Sequence, residues 1–197
     1  DRKTLNHYRD LRLEAERVQR SLESLRQRPA VSLDGHEISL QANAELAAEL
    51  SQSVSAGAEG IGLYRTEFLY LQGEPPDEET QFAQYRSALD FLEGKPLTIR
   101  TLDLGADKEI HESMGQGPMA HNPAMGLRAI RRCLKEPENF IHQLCAIMRV
   151  AAYGDVKMMI PMMTSIDELD QVSALIDHAT ELLRLRKVRF NENVEIG

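Results

Sequence analysis

The sequence predicts an α/β fold in which strand–helix units build a parallel sheet or barrel. Short apolar segments rich in β-branched residues recur along the chain, and longer segments with helical periodicity separate them. This alternation is typical of parallel strands joined by helices. The composition agrees with it, because 42% of the 197 residues are hydrophobic, which is enough to bury a sizeable core.

The first segment, residues 1–30, is predicted to be a long helical arm. Apolar side chains recur there in alternating steps of three and four, which is the heptad pattern of a helix that packs along one stripe. The stripe consists of Tyr8, Leu11, Ala15, Val18, Leu22 and Leu25. Pro29 ends the helix, since the residue before a proline disfavours helical angles. We interpret the arm as a hairpin arm or a linker between domains.

Strands and helices alternate after this arm. The predicted strands cover residues 37–43, 59–65, 97–102, 156–162 and 194–197. The predicted helices between them cover residues 44–56, 77–92, 125–134, 137–153 and 165–187. The pattern amounts to four complete units and the opening of a fifth strand, whereas a closed (β/α)8 barrel needs eight units and about 250 residues. If the fold is a barrel, this chain is part of one.

Glycine and aspartate mark the ends of several elements. Leu33-Asp34-Gly35-His36 is typical of a turn between two short strands. Gly57 is a C-terminal stop for the helix before it. Asp77 is a good cap for the helix that it opens.

The charge and the cysteine pattern exclude several classes of function. A net charge of -8 argues against nucleic acid or an anionic membrane as the main partner. Cys133 and Cys145 have no metal-ligand spacing, and we expect buried thiols in a reducing compartment. A signal peptide or a membrane-spanning run is not apparent in the sequence, which predicts a cytoplasmic protein.

Two arginines close neighbouring predicted strands and define the candidate site. Arg65 and Arg100 each end a strand, and each is followed by threonine. In parallel α/β folds the active site lies at the carboxyl ends of the strands, where two guanidinium groups can clamp carboxylate or phosphate oxygens. The alternative is an ion pair for each, Arg65 with Glu67 and Arg100 with Asp103. The repeated Arg-Thr favours an oxyanion site.

The connection over residues 103–124 adds basic candidates to this site. Long connections without periodicity are usually functional or disordered. Lys108 lies in the connection and is a candidate phosphate ligand, with a solvated charge as the alternative. Arg128 is predicted one turn inside the following helix, directed back at the site. A glycine-rich nucleotide motif is not apparent at the strand ends.

Four segments occur in the order of a known enzyme family. They are Gly60–Leu69, Arg100–Lys108, Asn122–Arg131 and Met159–Met162. They resemble the phosphoenolpyruvate-binding barrel of enzyme I, the phosphoenolpyruvate–protein phosphotransferase that starts the bacterial sugar phosphotransferase system, or its nitrogen-type paralogue. The N-terminal helix is similar to the linker between the family's phosphohistidine domain and its barrel.

The resemblance implies a linker over residues 1–30 and the N-terminal half of a (β/α)8 TIM barrel over residues 31–197. It implies an enzyme that moves the phosphoryl group of phosphoenolpyruvate to a histidine of its own mobile domain and on to a phosphocarrier protein. Arg65 and Arg100 match the family's phosphoenolpyruvate-binding arginines. Arg128 and Lys108 match charged positions near the same site.

The resemblance also implies that the remaining chemistry lies outside this chain. The phosphohistidine domain is expected before residue 1, and the Mg²⁺ carboxylates and the proton-donating cysteine after Gly197. We therefore expect no catalytic or metal-binding residue here, an inactive fragment, and a parent enzyme that is a homodimer. The alternatives are an enzyme of the pyruvate phosphate dikinase or phosphoenolpyruvate synthase type, and a non-catalytic phosphoenolpyruvate-sensing module.

Overall fold

The computed structural model describes residues 1–71, 74–104 and 126–197. Within these ranges the chain has the predicted α/β architecture. The helices are α1 (Arg2–Glu23), α2 (Ala47–Ser55), α3 (Glu67–Tyr70), α4 (Glu78–Phe91), α5 (Ile130–Lys135), α6 (Pro137–Val150) and α7 (Ile166–Leu185). The strands are β1 (Ala30–Val31), β2 (Glu37–Ile38), β3 (Ala42–Ala44), β4 (Ile61–Tyr64), β5 (Leu97–Arg100), β6 (Val156–Met159) and β7 (Glu195–Ile196).

The main sheet is parallel, as the alternating pattern predicts. Within the described ranges five strands lie side by side in the order β3-β4-β5-β6-β7, which is the order of the chain, and each neighbouring pair is parallel. Because the strands run in one direction, their carboxyl ends meet at one edge of the sheet. β1 and β2 form a separate antiparallel hairpin.

The region around β2 corrects one predicted strand. Residues 37–43 were expected to be continuous, but β2 and β3 are separate strands in different sheets. The reason is the predicted turn, in which Gly35 has a φ of 88° and folds β2 back on β1, so that Val31 lies opposite Glu37. β3 then pairs with β4 instead.

The start of α5 corrects one predicted helix. A helix was expected from about residue 125, but the described residues 126–129 are not helical and α5 begins at Ile130. Ala129 has a φ of 49°, which a right-handed helix does not accommodate. Arg128 therefore precedes the helix instead of lying one turn inside it.

The core lies between the sheet and the helices packed on it. Side chains in β5 and β6 alternate between buried and half-buried positions, so one face of these strands is covered. Leu97, Ile99 and Met158 from that face belong to one cluster with Leu144 and Ile147 of α6. The covered face makes the sheet rigid, which holds the strand ends at fixed spacing.

The N-terminal arm differs from this packed region. Asp1 caps α1 by accepting the backbone N–H of Lys3 at 2.8 Å, and none of the described residues of α1 is buried. The predicted stripe is thus present on an exposed helix, with Tyr8 and Leu22 both more than half exposed. Among the described residues, every helix is too short or too polar to cross a bilayer.

Candidate functional site

The two predicted arginines lie at the carboxyl ends of neighbouring strands. Tyr64 of β4 lies opposite Ile99 of β5, so Arg65 and Arg100 follow these paired residues at the same edge of the sheet. The Arg100 side chain is only 18% exposed, whereas that of Arg65 is 43% exposed. One guanidinium group is therefore built into the sheet edge, and the other is open to solvent.

Arg100 is held by two carboxylates. Its Nη2 donates to Glu67 Oε1 at 2.7 Å, and its Nη1 lies 3.3 Å from Asp103 Oδ2. The backbone N–H of Asp103 also donates to Glu67 Oε1, at 3.2 Å. The side chains of Glu67 and Asp103 are both nearly buried, and charge-assisted bonds of this kind fix the plane of a guanidinium group.

Arg65 has a different partner from the one considered in the sequence. Glu67 pairs with Arg100, and Arg65 Nη2 lies 3.3 Å from Oε2 of Glu45, the residue after β3. Both members of the Arg65–Glu45 pair are partly exposed, and such pairs contribute little to stability. Arg65 is therefore positioned by a weak contact that a ligand oxygen can replace.

Arg128 lies close to Arg100, as the hypothesis of a shared site expects. Arg128 Nε donates to Asp103 Oδ1 at 2.7 Å, so the carboxylate of Asp103 bridges Arg128 and Arg100. Lys108, the remaining candidate, lies outside the described residues. The assignment of all four side chains as substrate ligands stays a prediction.

One donor in this cluster has no acceptor in the part of the chain that the structure describes. Arg100 Nε is buried, and among the described residues no atom accepts its hydrogen. A buried donor without a partner costs roughly 1–3 kcal/mol, and each such group in a folded protein needs a physical explanation. A binding site that is completed by a ligand or by water is one such explanation.

A buried polar network under the strand ends is not apparent in the sequence. Gln143 of α6 connects Leu102, Thr66 and Tyr85 through hydrogen bonds, and Tyr85 donates to Gln81 at 3.0 Å. The one sequence signal is that Gln143 lies on the apolar face of α6, among buried residues. Thr66, which follows Arg65 in the Arg-Thr pair, donates its hydroxyl to the Arg100 carbonyl at 3.0 Å.

A metal site is not apparent among the described residues. Within the ranges that the structure covers, no three His, Cys, Asp or Glu side chains are grouped to hold a metal ion. Glu67 and Asp103, the carboxylates at the strand ends, are bound to arginines. Cys133 and Cys145 are buried free thiols, as predicted.

A parallel α/β sheet with arginines at its carboxyl edge is typical of the class of α/β domains that bind anionic ligands at their strand ends. Residues 19–197 match the family described as PEP-utilising enzyme, PEP-binding domain. The chain therefore belongs to this family of phosphoenolpyruvate-binding domains. The match confirms the resemblance that the four motifs indicated.

Several bacterial proteins named phosphoenolpyruvate-protein phosphotransferase are similar to the chain. The one from Cupriavidus necator is 43% identical over 195 residues, which are 98% of this chain and 33% of that protein. The one from Priestia megaterium is 41% identical over 168 residues, 85% of this chain and 29% of that protein. The one from Staphylococcus carnosus is 40% identical, covering 89% and 30%. The chain thus spans about a third of the length of these relatives.

Proposed function

We propose that this chain is the phosphoenolpyruvate-binding part of a phosphoenolpyruvate–protein phosphotransferase. The intact enzyme transfers the phosphoryl group to a histidine of its own mobile domain and then to a phosphocarrier protein, and it acts in the cytoplasm as a homodimer. The observation that carries the proposal is the pair Arg65 and Arg100 at neighbouring strand ends in a chain of the phosphoenolpyruvate-binding family.

The proposal includes the finer architecture. Five parallel strands in chain order are what the first half of a (β/α)8 barrel contains, and we assign residues 31–197 to it. The exposed helix α1 supports a separate linker over residues 1–30.

Arg100 is the preorganised anion-binding residue of the proposed site. Its position is fixed by Glu67 and Asp103 before any ligand arrives, so binding an anion requires little reorganisation. Its Nε has no acceptor within the described ranges, which supports the view that a ligand completes the site. Guanidinium groups beside a transferring phosphoryl group offset its negative charge.

Arg65 is the second anion-binding residue of the proposed site, and its present ion pair can be replaced. Its partly exposed contact with Glu45 can give way to a carboxylate or phosphate oxygen. Arg128, which shares Asp103 with Arg100, and Lys108 of the adjoining connection are the further proposed substrate-binding residues. Magnesium, which the resemblance implies, is not assigned to any of these residues.

The test is a calorimetric titration with phosphoenolpyruvate on the phosphotransferase of full native length. We expect Arg65→Ala and Arg100→Ala each to weaken binding by roughly 10- to 100-fold, since each removes a charge-assisted hydrogen-bond donor. Arg86→Ala is the matched control, because Arg86 pairs with Asp90 on α4 and is expected to leave the affinity unchanged.

Two outcomes would contradict the proposal. If the Arg65→Ala, Arg100→Ala double variant binds phosphoenolpyruvate as tightly as the parent, the anion site is refuted. If the parent binds the ligand but transfers no phosphoryl group to a phosphocarrier protein, the chain belongs to a sensing module instead. The names of the relatives do not favour a dikinase or synthase.

A further inference from the structure

Gln143 of α6 joins the helix layer to both arginine-bearing strand ends. Its side chain is fully buried. Its Oε1 accepts the backbone N–H of Leu102 at 2.9 Å. Its Nε2 donates to Thr66 Oγ1 at 3.2 Å and to the Tyr85 hydroxyl at 3.1 Å. Thr66 and Leu102 belong to the segments that carry Arg65 and Arg100, respectively.

The bond to Leu102 determines how the chain leaves β5. Thr101 still donates its N–H to Met159 of the neighbouring strand, but Leu102 donates to the side chain of Gln143 instead of to a strand. The next residue is Asp103, which contacts both Arg100 and Arg128. Holding the Leu102 amide in place therefore also holds the carboxylate of Asp103, which orients Arg100 and Arg128.

The bond to Thr66 links the ends of β4 and β5. Because Gln143 Nε2 donates to the Thr66 oxygen, the Thr66 hydroxyl directs its hydrogen at the Arg100 carbonyl, 3.0 Å away. Thr66 is buried and lies between Arg65 and Glu67. A buried amide with both of its donors used has one preferred orientation, so the spacing of the two strand ends follows from Gln143.

We propose that Gln143 is a positioning residue of the anion site, which sets the Arg65 and Arg100 segments at the spacing that phosphoenolpyruvate requires. This inference rests on the proposed function of that site. Displacement of binding groups by about 1 Å can cost as much as 100-fold in rate. For the smaller displacement that follows loss of one anchoring amide we expect about a tenfold effect.

The experiment compares Gln143→Leu with Tyr85→Phe in the full-length phosphotransferase. Both variants remove buried hydrogen bonds from the same network, but Tyr85→Phe leaves the bonds to Leu102 and Thr66 in place. We expect Gln143→Leu to raise the Kd for phosphoenolpyruvate about tenfold and Tyr85→Phe to change it less than about twofold. Amide hydrogen exchange at Leu102, measured without ligand, is expected to accelerate only in Gln143→Leu.

The inference is overturned if both variants weaken binding equally, or if Gln143→Leu leaves the Kd and the Leu102 exchange unchanged. Should Gln143→Leu fail to fold, Thr66→Val replaces it, because it removes the link between the strand ends, and Thr66→Ser should restore the affinity. A failed rescue would count against the positioning role.

The two proposals fail differently. If Arg100→Ala keeps the parent's affinity, the proposed function is wrong, and Leu102 exchange still decides whether Gln143 positions the strand end. If Arg100→Ala weakens binding and Gln143→Leu does not, only the positioning role is wrong.

Discussion

Two clusters of arginine and carboxylate side chains in this molecule are built alike but differ in their hydrogen bonding. The strand-end cluster consists of Glu67, Arg100, Asp103 and Arg128. The helix cluster consists of Glu78, Glu79, Arg149 and Arg186, from α4, the end of α6 and the residue after α7. Each cluster contains a largely buried ion pair, Arg100–Glu67 or Arg149–Glu78, so burial and pairing alone do not distinguish a candidate binding site from a structural ion pair.

The two clusters differ in how completely the hydrogen-bond donors of their arginines are paired with acceptors. Arg149 donates to Glu78 at 2.6 Å and to Glu79 at 3.1 Å, and its guanidinium group lies 4.2 Å from the centre of the Phe82 ring. Arg186 donates to the other oxygen of Glu78 at 2.9 Å. In the strand-end cluster Arg100 keeps a buried donor without an acceptor among the described residues. This difference supports the proposal that the strand-end cluster binds a ligand, whereas the helix cluster is structural.

Removing Arg149 is expected to have the largest effect on stability. Arg149→Met leaves Glu78 with Arg186 as a partner and should lower the free energy of unfolding by about 3 kcal/mol, the lower end of the range for a broken buried pair. Urea unfolding measures it. Arg184→Met is the control, since Arg184 is 55% exposed, and it should cost less than about 0.5 kcal/mol.

The affinity of Arg149→Met for phosphoenolpyruvate decides whether the clusters are independent. We expect it to stay within about twofold of the parent, because contacts that share no partners add independently. A loss as large as that of Arg100→Ala would show that the helix cluster is part of the site.

We expect the labelling rates of the two cysteine thiols to monitor the strand-end cluster and the helix cluster separately. Burial raises the pKa of Cys133 to about 12, with a smaller contribution from Asp103. It raises the pKa of Cys145 to about 11, with a smaller contribution from Glu78. Both thiols are therefore protonated at neutral pH and should react slowly.

We expect phosphoenolpyruvate at ten times its Kd to slow chemical labelling of the Cys133 thiol about tenfold. The buried thiol is labelled only when the structure near α5 opens locally, and in the complex this opening also requires the ligand to dissociate. Labelling of Cys145 should stay constant. Mass spectrometry of the two labelled peptides gives both rates in one sample. Equal protection of both thiols would mean that they are exposed by a shared opening.

The smallest expected effect is the pH dependence of the helix cluster. A hydrogen bond from Arg149 lowers the pKa of Glu79 below its usual 4.5. A depressed carboxyl pKa stabilises the fold above 4.5, and this contribution is lost as the pH falls through the folded-state pKa. The stability difference between the parent and Glu79→Gln should therefore shrink on acidification from pH 7 to pH 3. A constant difference would contradict the charged contact.

Local sequence patterns predicted the parallel sheet and the placement of Arg65 and Arg100 at its carboxyl edge. The alternation of strands and helices requires no knowledge of distant contacts, and the rule that ligands bind at carboxyl ends located Arg65 and Arg100. The patterns were wrong where a single backbone angle sets the boundary of an element. The positive φ of Ala129 makes α5 begin later than the pattern predicts.

The sequence by itself determined the order of the elements, the turn at Gly35, the cap at Asp77 and the two arginines at neighbouring strand ends. Only the tertiary structure decided which carboxylate binds which arginine. Glu67 and Arg100 are 33 positions apart, and Thr66 and Gln143 are 77 apart. Such pairs depend on the register between β4 and β5 and on the packing of α6. Periodicity and propensity describe neighbours along the chain, so they carry no information about contacts that form only when the core assembles.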